Sequence, residues 1–500
     1  MRHIAVFAVL VLLFGCVGEE VPPAPEVPLE PGPAIPETYG EFSEGNFSLE
    51  YPSSWEIMEN MEDEDALTAG DGMCVMVVRK TALPPEYMKG VISKYADVEW
   101  DGDGGEFDFD VEGGEVHSKS RLVFCECSTY WVSVNCPKGS FDLGAAEKVL
   151  GSAECAYEMP PAYSGKGKPG MIVLATDETV LETYCQNVQR AREAGAPLLH
   201  GYISWGSTEK AKGEYDWSGQ DYEIEVGSLY GMERSVVVDI IRTNDIGEVP
   251  SDFDFKGFED GELKERFSEF VVLFLDRYGE NITYIEIGNE VDIYLRDRRD
   301  EIATYREFYE YVYGRVKEAH PEVKVGTVFA YHAAKSSNST DIIEELEDVG
   351  DFNAFTLYIY GPGFMFDRNV GEAREFFDEM DAISSKPFVV TETGWSTSPM
   401  LGSDEETQAE YVEEVFSILE EKKDRIEFLA WFDSNDIPDE TCGLVAESFI
   451  LEEQKEFVES ETMEYFEEFI CNLGLRTVDN EPKPGWFEWV ERSREYTGLD

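Results

Sequence analysis

Two short segments carry acidic residues where chemistry can be done. Tyr284-Ile285-Glu286-Ile287-Gly288-Asn289 runs into Glu290, and Val389-Val390-Thr391 runs into Glu392, followed by Thr393-Gly394-Trp395. Each is an apolar, β-branched run that stops at a carboxylate. That pattern reads as a buried parallel strand carrying a glutamate at its C-terminal end. Two carboxyl groups brought to one cleft can divide a reaction between them. One, protonated at rest, gives its proton to a leaving oxygen; the other, ionised, attacks carbon. Cleavage of a glycosidic bond with retention needs such a pair, about 5–5.5 Å apart.

The elements that position them follow from the alternation of apolar runs and helical patterns after residue 170. The sequence predicts eight strands: Met171 to Ala175, Leu198 to Ile203, Ser235 to Ile241, Thr283 to Ile287, Val323 to Phe329, Phe355 to Tyr360, Pro387 to Thr391 and Ile426 to Phe432. Helical patterns fill the gaps. One is predicted from Asp404 to Lys423, with Tyr411, Val412, Val415, Phe416 and Leu419 on one face and a Ser403/Glu406 capping box at its start. Eight βα units make a (β/α)8 TIM barrel over residues 171–500. Glu290 and Glu392 then close strands four and seven at the face where barrel sites are built. Tyr358 and Tyr360 share one face of strand six, because strand side chains alternate. Glu286 has the inward parity of Glu290. Asp177, Glu178 and Asp433 also sit at strand ends, with no role to assign.

Ile287-Gly288-Asn289-Glu290 resembles the strand-four motif of clan A retaining glycoside hydrolases, and Thr391-Glu392-Thr393-Gly394-Trp395 resembles their strand-seven motif. The resemblance covers roughly residues 170 to 495. It includes Gly213-Glu214-Tyr215-Asp216-Trp217-Ser218, similar to a loop after strand two, and the closing segment from Gly474 to Pro484. It implies Glu290 as acid/base, Glu392 as nucleophile and Asn289 as partner of the substrate 2-hydroxyl. It implies that a strand-six tyrosine, Tyr358 or Tyr360, donates to the nucleophile. Trp431 resembles the platform under the sugar at the cleaved bond, and Trp395 is a second stacking candidate. The chain departs from the clan in two places. An arginine near strand two is not found, Arg242 after strand three being the nearest basic candidate. Strands three and six carry no histidine. The implied activity is hydrolysis of a β-linked polysaccharide or oligosaccharide, without metal or organic cofactor. Exo action is one alternative; a non-catalytic carbohydrate-binding surface protein on the same scaffold is another.

The remainder of the chain bounds the setting. Five hundred residues are too many for one ordinary core, so at least two domains are expected. A net charge of -65, from 105 acidic against 40 basic residues, excludes nucleic acid as a partner and gives a solubilising surface. No Gly-x-Ser-x-Gly elbow is present, no Gly-x-Gly-x-x-Gly follows strand one, and no His-Glu-x-x-His occurs. Arg2, His3 and the apolar run Ile4 to Phe14 form a targeting segment over residues 1–16. Leu13-Phe14-Gly15-Cys16 resembles a lipoprotein processing box, with Cys16 as the lipid anchor. Residues 17–40, rich in proline, form an extended tether. The expectation is a protein anchored by lipid on the outer side of the cell membrane, or else secreted.

Residues 41–156 form a small α+β domain. Its opening, Phe47-Ser48-Leu49-Glu50-Tyr51-Pro52 followed by Trp55, resembles that of PsbP-like domains. Residues 157–170 are a linker. With Cys16 set aside, eight of the nine cysteines remain, and disulfides are expected in an exported chain. A bridge from Cys155 to Cys185 is expected between the two units.

Overall fold

The computed structural model describes residues 38–58, 65–71, 73–94, 96–111, 114–139, 143–174, 180–366, 368–448 and 460–498. The predicted signal, Cys16, most of the tether, Asp177 and Glu178 lie outside them. The chain divides into two units, Met1–Met159 and Pro160–Asp500.

The first unit is α+β. Its main sheet is antiparallel, and the strand Ser128–Pro137 lies within it, between Val75–Thr81 and Gly114–Cys125. Side chains of that strand alternate between two cores. Tyr130, Val132 and Val134 pack with Phe47, Leu49 and the helix Leu143–Ser152 on one face. Trp131 packs with Met88, Ile92, Phe107 and Leu122 on the other. Phe47 stacks on Tyr130 with ring centroids 3.9 Å apart. Disulfides join Cys74 to Cys136 and Cys125 to Cys155. The second of these corrects the expected Cys155–Cys185 bridge: Cys155 ends the short strand Glu154–Cys155 and meets Cys125, the last residue of the strand Gly114–Cys125 in the same unit. Cys127 and Cys185 are disulfide-bonded as well.

The second unit is a closed parallel barrel ringed by helices. Its strands are Lys168–Ile172, Leu198–Ile203, Glu233–Arg242, Ile282–Asn289, a fifth in two pieces (Lys324–Gly326 and Val328–Ala330), Asn353–Leu357, Phe388–Thr393 and Ile426–Trp431. They pair in sequence order, and strand eight pairs with strand one. Strand five closes the ring. Its first piece pairs with strand four and its second with strand six. At the break, the Thr327 hydroxyl donates to the Ile287 carbonyl at 2.7 Å. Leu198, Val237, Tyr284, Val328, Ala354, Val389, Phe428 and Ala430 fill the barrel interior. The strands are buried on both faces, which is why they read as continuous β-branched runs.

Two sequence expectations shift. Strand one starts at Lys168, inside the predicted linker. The helix Glu405–Lys422 is capped by Asp404, whose carboxylate accepts from Thr407 N at 2.8 Å, rather than by a Ser403/Glu406 box. Ser403 is committed elsewhere, since its hydroxyl accepts from the Trp395 indole at 2.8 Å. After strand eight the helices Asp439–Ser448 and Ser460–Cys471 are tied by the disulfide Cys442–Cys471.

Candidate active site

Strand four delivers Glu290 through a strained turn. Gly288 has φ +82, and a Cβ there would stand 2.7 Å from Val291 Cγ1 and 3.0 Å from the Tyr305 hydroxyl. Only glycine meets both demands. Glu290 itself has φ 49, left-handed for a residue with a side chain. Such strain persists where the surroundings enforce it, and it is concentrated at functional sites. Two hydroxyls hold the carboxylate: Thr243 donates to Oε2 at 2.9 Å and Thr356 to Oε1 at 2.6 Å. Strand seven delivers Glu392. Its pairing with strand six shifts between Val390 and Glu392, which turns the glutamate inward after Val389 has already used the inward parity. Tyr358 donates to Glu392 Oε2 at 2.7 Å, and Tyr202 donates to Oε1. Thr356 joins the two acids, because it bonds Glu290 and stands opposite Glu392 in the strand register.

Burial raises the pKa of both glutamates. For Glu392 the charge of Glu290 adds to the rise and the two phenols oppose it, leaving it at about 7. For Glu290 the Thr356 and Thr243 hydroxyls and the Arg296 charge oppose it. Two coupled carboxyls share their protons. Phenols are stronger donors than aliphatic hydroxyls, so the bonds to Glu392 favour its charged form more than the threonine bonds favour that of Glu290. Burial, and next the Glu392 charge, raise Tyr202 and Tyr358 well above the ordinary phenol range, so both stay donors.

Both acids open into a cavity of about 680 Å³. Asn289, Tyr358 and Tyr360, candidates from the sequence, also line it, and so does Arg242. Trp395 and Trp431 do not, and this corrects both stacking expectations. Trp395 is wholly buried against Phe366 and Tyr411. Trp431 is wholly buried against Tyr411 and Trp489, with its indole N–H on the Leu473 carbonyl at 3.0 Å. The reason is parity: Phe428 and Ala430 point into the barrel, so Trp431 points to the helices, and Phe432 reaches the cavity instead. Glu286 lies below the site, buried, accepting from Ser235 at 2.7 Å, and burial pushes it up to about 8.

Sequence reasoning missed Tyr202, Thr243, Thr356, Asp239 and His332. Three of them had a readable signal. Tyr202 keeps the parity of Leu198, Asp239 that of Val237, and Thr356 that of Ala354, all inward residues. His332 follows strand five and packs on Tyr360 at 4.7 Å. Burial, with Arg368 and Lys335 nearby, lowers it to about 4, so it is neutral at ordinary pH. Asp239 is buried and lines the cavity, and burial pushes it up to about 7. Among the described residues no group of three or more His, Cys, Asp and Glu side chains is placed to hold a metal ion.

No family model matches the chain, and no curated protein matches it in sequence. Solved structures do match. A GH5_18 protein from Bifidobacterium longum subsp. infantis aligns with TM-score 0.52 and 12% identity, over 66% of this chain and 79% of that one. A GH5_18 variant from Bifidobacterium longum subsp. longum, in complex with Manβ1-4GlcNAc, aligns with TM-score 0.51 and 13% identity, over 66% of this chain and 78% of that one. An exo-β-1,4-mannosidase from Opitutaceae bacterium strain TAV5 aligns with TM-score 0.51 and 14% identity, over 68% of this chain and 62% of that one. At these identities the likeness is one of fold: the chain has the barrel architecture of these glycoside hydrolases.

Proposed function

We propose that the protein is a retaining glycosidase acting on β-linked glycosides. One observation carries the reading. Strands four and seven bring two glutamates to one cavity, one held by two threonine hydroxyls and the other by two phenols. Glu392, ionised, attacks the anomeric carbon and forms a glycosyl–enzyme ester. Glu290 gives its proton to the departing oxygen, then takes one from the water that hydrolyses the ester. Tyr202 and Tyr358 hold the Glu392 charge, and Asn289 bonds the substrate 2-hydroxyl. The chemistry calls on no metal or cofactor. A β-mannoside is the first substrate to try, since structures of similar fold include an exo-β-1,4-mannosidase and a complex with Manβ1-4GlcNAc. The N-terminal segment supports export and anchoring through Cys16, with residues 17–40 as spacer.

The test is a screen of reducing-sugar release from mannan, β-glucan, xylan, galactan and their oligosaccharides, with Glu392→Gln as control. Release that disappears in the variant supports the glycosidase. Binding of a glycan by both proteins with release by neither would make the barrel a carbohydrate-binding module.

A further inference from the structure

The cavity has two chemically different sides, supplied by different elements. Over strands two to four the wall is polar: Ser204, Asp239, Arg242 and Asn289. Asp239 Oδ1 and Asn289 Oδ1 are buried there with no hydrogen-bond partner in the protein. Buried acceptors of this kind call for donors, and a ring edged with hydroxyls supplies them. Over strands six to eight, outward of Tyr358, Tyr360 and Glu392, the wall is mostly hydrocarbon: Phe364 from the segment after strand six, and Met463, Phe466, Phe469 and Ile470, with Thr462, from the helix Ser460–Cys471.

That apolar wall is built and fixed. Phe364 has φ +58, an uncommon conformation for a bulky residue, and its ring lies 5.2 Å from Phe466 and 5.5 Å from Phe469. Phe469 in turn lies 5.2 Å from Tyr358 and 5.4 Å from Tyr360. The helix is held by the Cys442–Cys471 disulfide and by Ser396, whose hydroxyl donates to the Glu468 carbonyl at 3.1 Å. The hydrocarbon surface therefore starts at the phenol that serves Glu392 and runs outward. One sugar can stack a face on one of these rings. A chain of sugars along the wall would leave its outer hydroxyls without partners.

We propose that the site takes a β-glycoside with an apolar aglycone, its sugar on the side of strands two to four and its alkyl or aryl group along Phe364, Met463, Phe466, Phe469 and Ile470. This rests on the glycosidase reading. Glu290 protonates the departing aglycone oxygen, the C–O bond breaks as Glu392 bonds to carbon, and water releases the sugar; glycoside plus water gives sugar plus alcohol. The aglycone chemistry is shared by soluble alkyl glycosides and by glycolipids.

The experiment uses n-alkyl β-glucosides and β-mannosides from methyl to octyl, below micelle formation, beside disaccharides of the same sugars. Affinity is read by calorimetry and kcat/KM by sugar release. Both rise about three- to fourfold per methylene as the chain covers the wall. Met463→Gln and Phe466→Gln flatten the slope, each checked by a thermal melt to show that the variant is folded. Flat affinity and rate from methyl to octyl, or a disaccharide preferred over the octyl glycoside, would overturn the proposal while hydrolysis itself upheld the glycosidase. Length-dependent binding without hydrolysis would uphold the apolar subsite and sink the glycosidase. Cleavage of a glycolipid in phosphatidylcholine vesicles at a rate near that of the octyl glycoside assigns the aglycone to a lipid. Cleavage of the soluble glycoside alone assigns it to a free metabolite.

Discussion

At the scale of residues, Glu290 and Glu392 are chemically alike and are separated by what donates to them. Glu392→Gln removes the proposed nucleophile and is expected to abolish turnover with the fold retained, checked by circular dichroism. Glu290→Gln is expected to slow natural glycosides about 10²–10⁴-fold, while aryl glycosides with good leaving groups lose far less in the first step. Tyr358→Phe deletes a donor to a charged carboxylate, a loss of about 10- to 100-fold in kcat/KM. A hydrogen bond to the charged form lowers a pKa, so its loss raises that of Glu392, and the acid limb of the pH–rate profile moves to higher pH. An unmoved limb would remove Tyr358 from this role. The two glutamates, Asn289, Tyr358 and Tyr360 were legible because they end apolar runs at countable strands. Trp431 was misplaced because resemblance was followed where strand parity pointed the other way.

At the scale of elements, seven of the barrel strands were legible as single runs, and the fifth was not seen to break. Its two pieces bond different neighbours, a long-range arrangement that a local apolar pattern does not encode. The same limit hid the apolar wall, since the helix Ser460–Cys471 meets Phe364 only through the tertiary fold. Gly288 shows the reverse, a local feature with a distant consequence. Gly288→Ala places a methyl group against Val291 and Tyr305 at positive φ. It is expected to cost about 1 kcal/mol or more in a urea melt and to lower kcat by displacing Glu290. Activity equal to the wild type would show that the turn does not position the acid. The cap of Glu405–Lys422 is a simpler test: Asp404→Ala costs about 1 kcal/mol, whereas Glu406→Ala, outside the observed cap, costs little.

At the scale of the whole molecule, acid is distributed unevenly between surface and interior. Burial raises Glu286 and Asp292 to about 8 and Asp239 and Asp433 to about 7. The folded state therefore holds protons that the unfolded chain has lost, and stability falls as pH rises from the ordinary carboxylate range toward 8. The charge of -65 acts in the same direction, through repulsion that salt screens. Exposed pairs oppose this at the acid end. Asp341 is held below the usual range by Arg299, so its contribution is lost as pH falls through that lowered value. The melting temperature is expected to peak at mildly acidic pH and, at pH 8, to rise with added sodium chloride. A transition that is highest at pH 8 in low salt would contradict the placement of these buried acids. Composition alone gave the charge excess; it gave no means of telling which carboxylates are buried.

The most direct test of the central claim is to trap the glycosyl–enzyme ester. Glu290→Gln lacks the proposed base that activates water, yet on this account an aryl β-glycoside with a good leaving group still glycosylates Glu392. Mass spectrometry of the variant after such treatment is expected to show one added glycosyl group, mapped to the peptide that carries Glu392. An adduct on another residue, or none while the wild type hydrolyses the same glycoside with inversion, would contradict the double displacement and the roles of both glutamates.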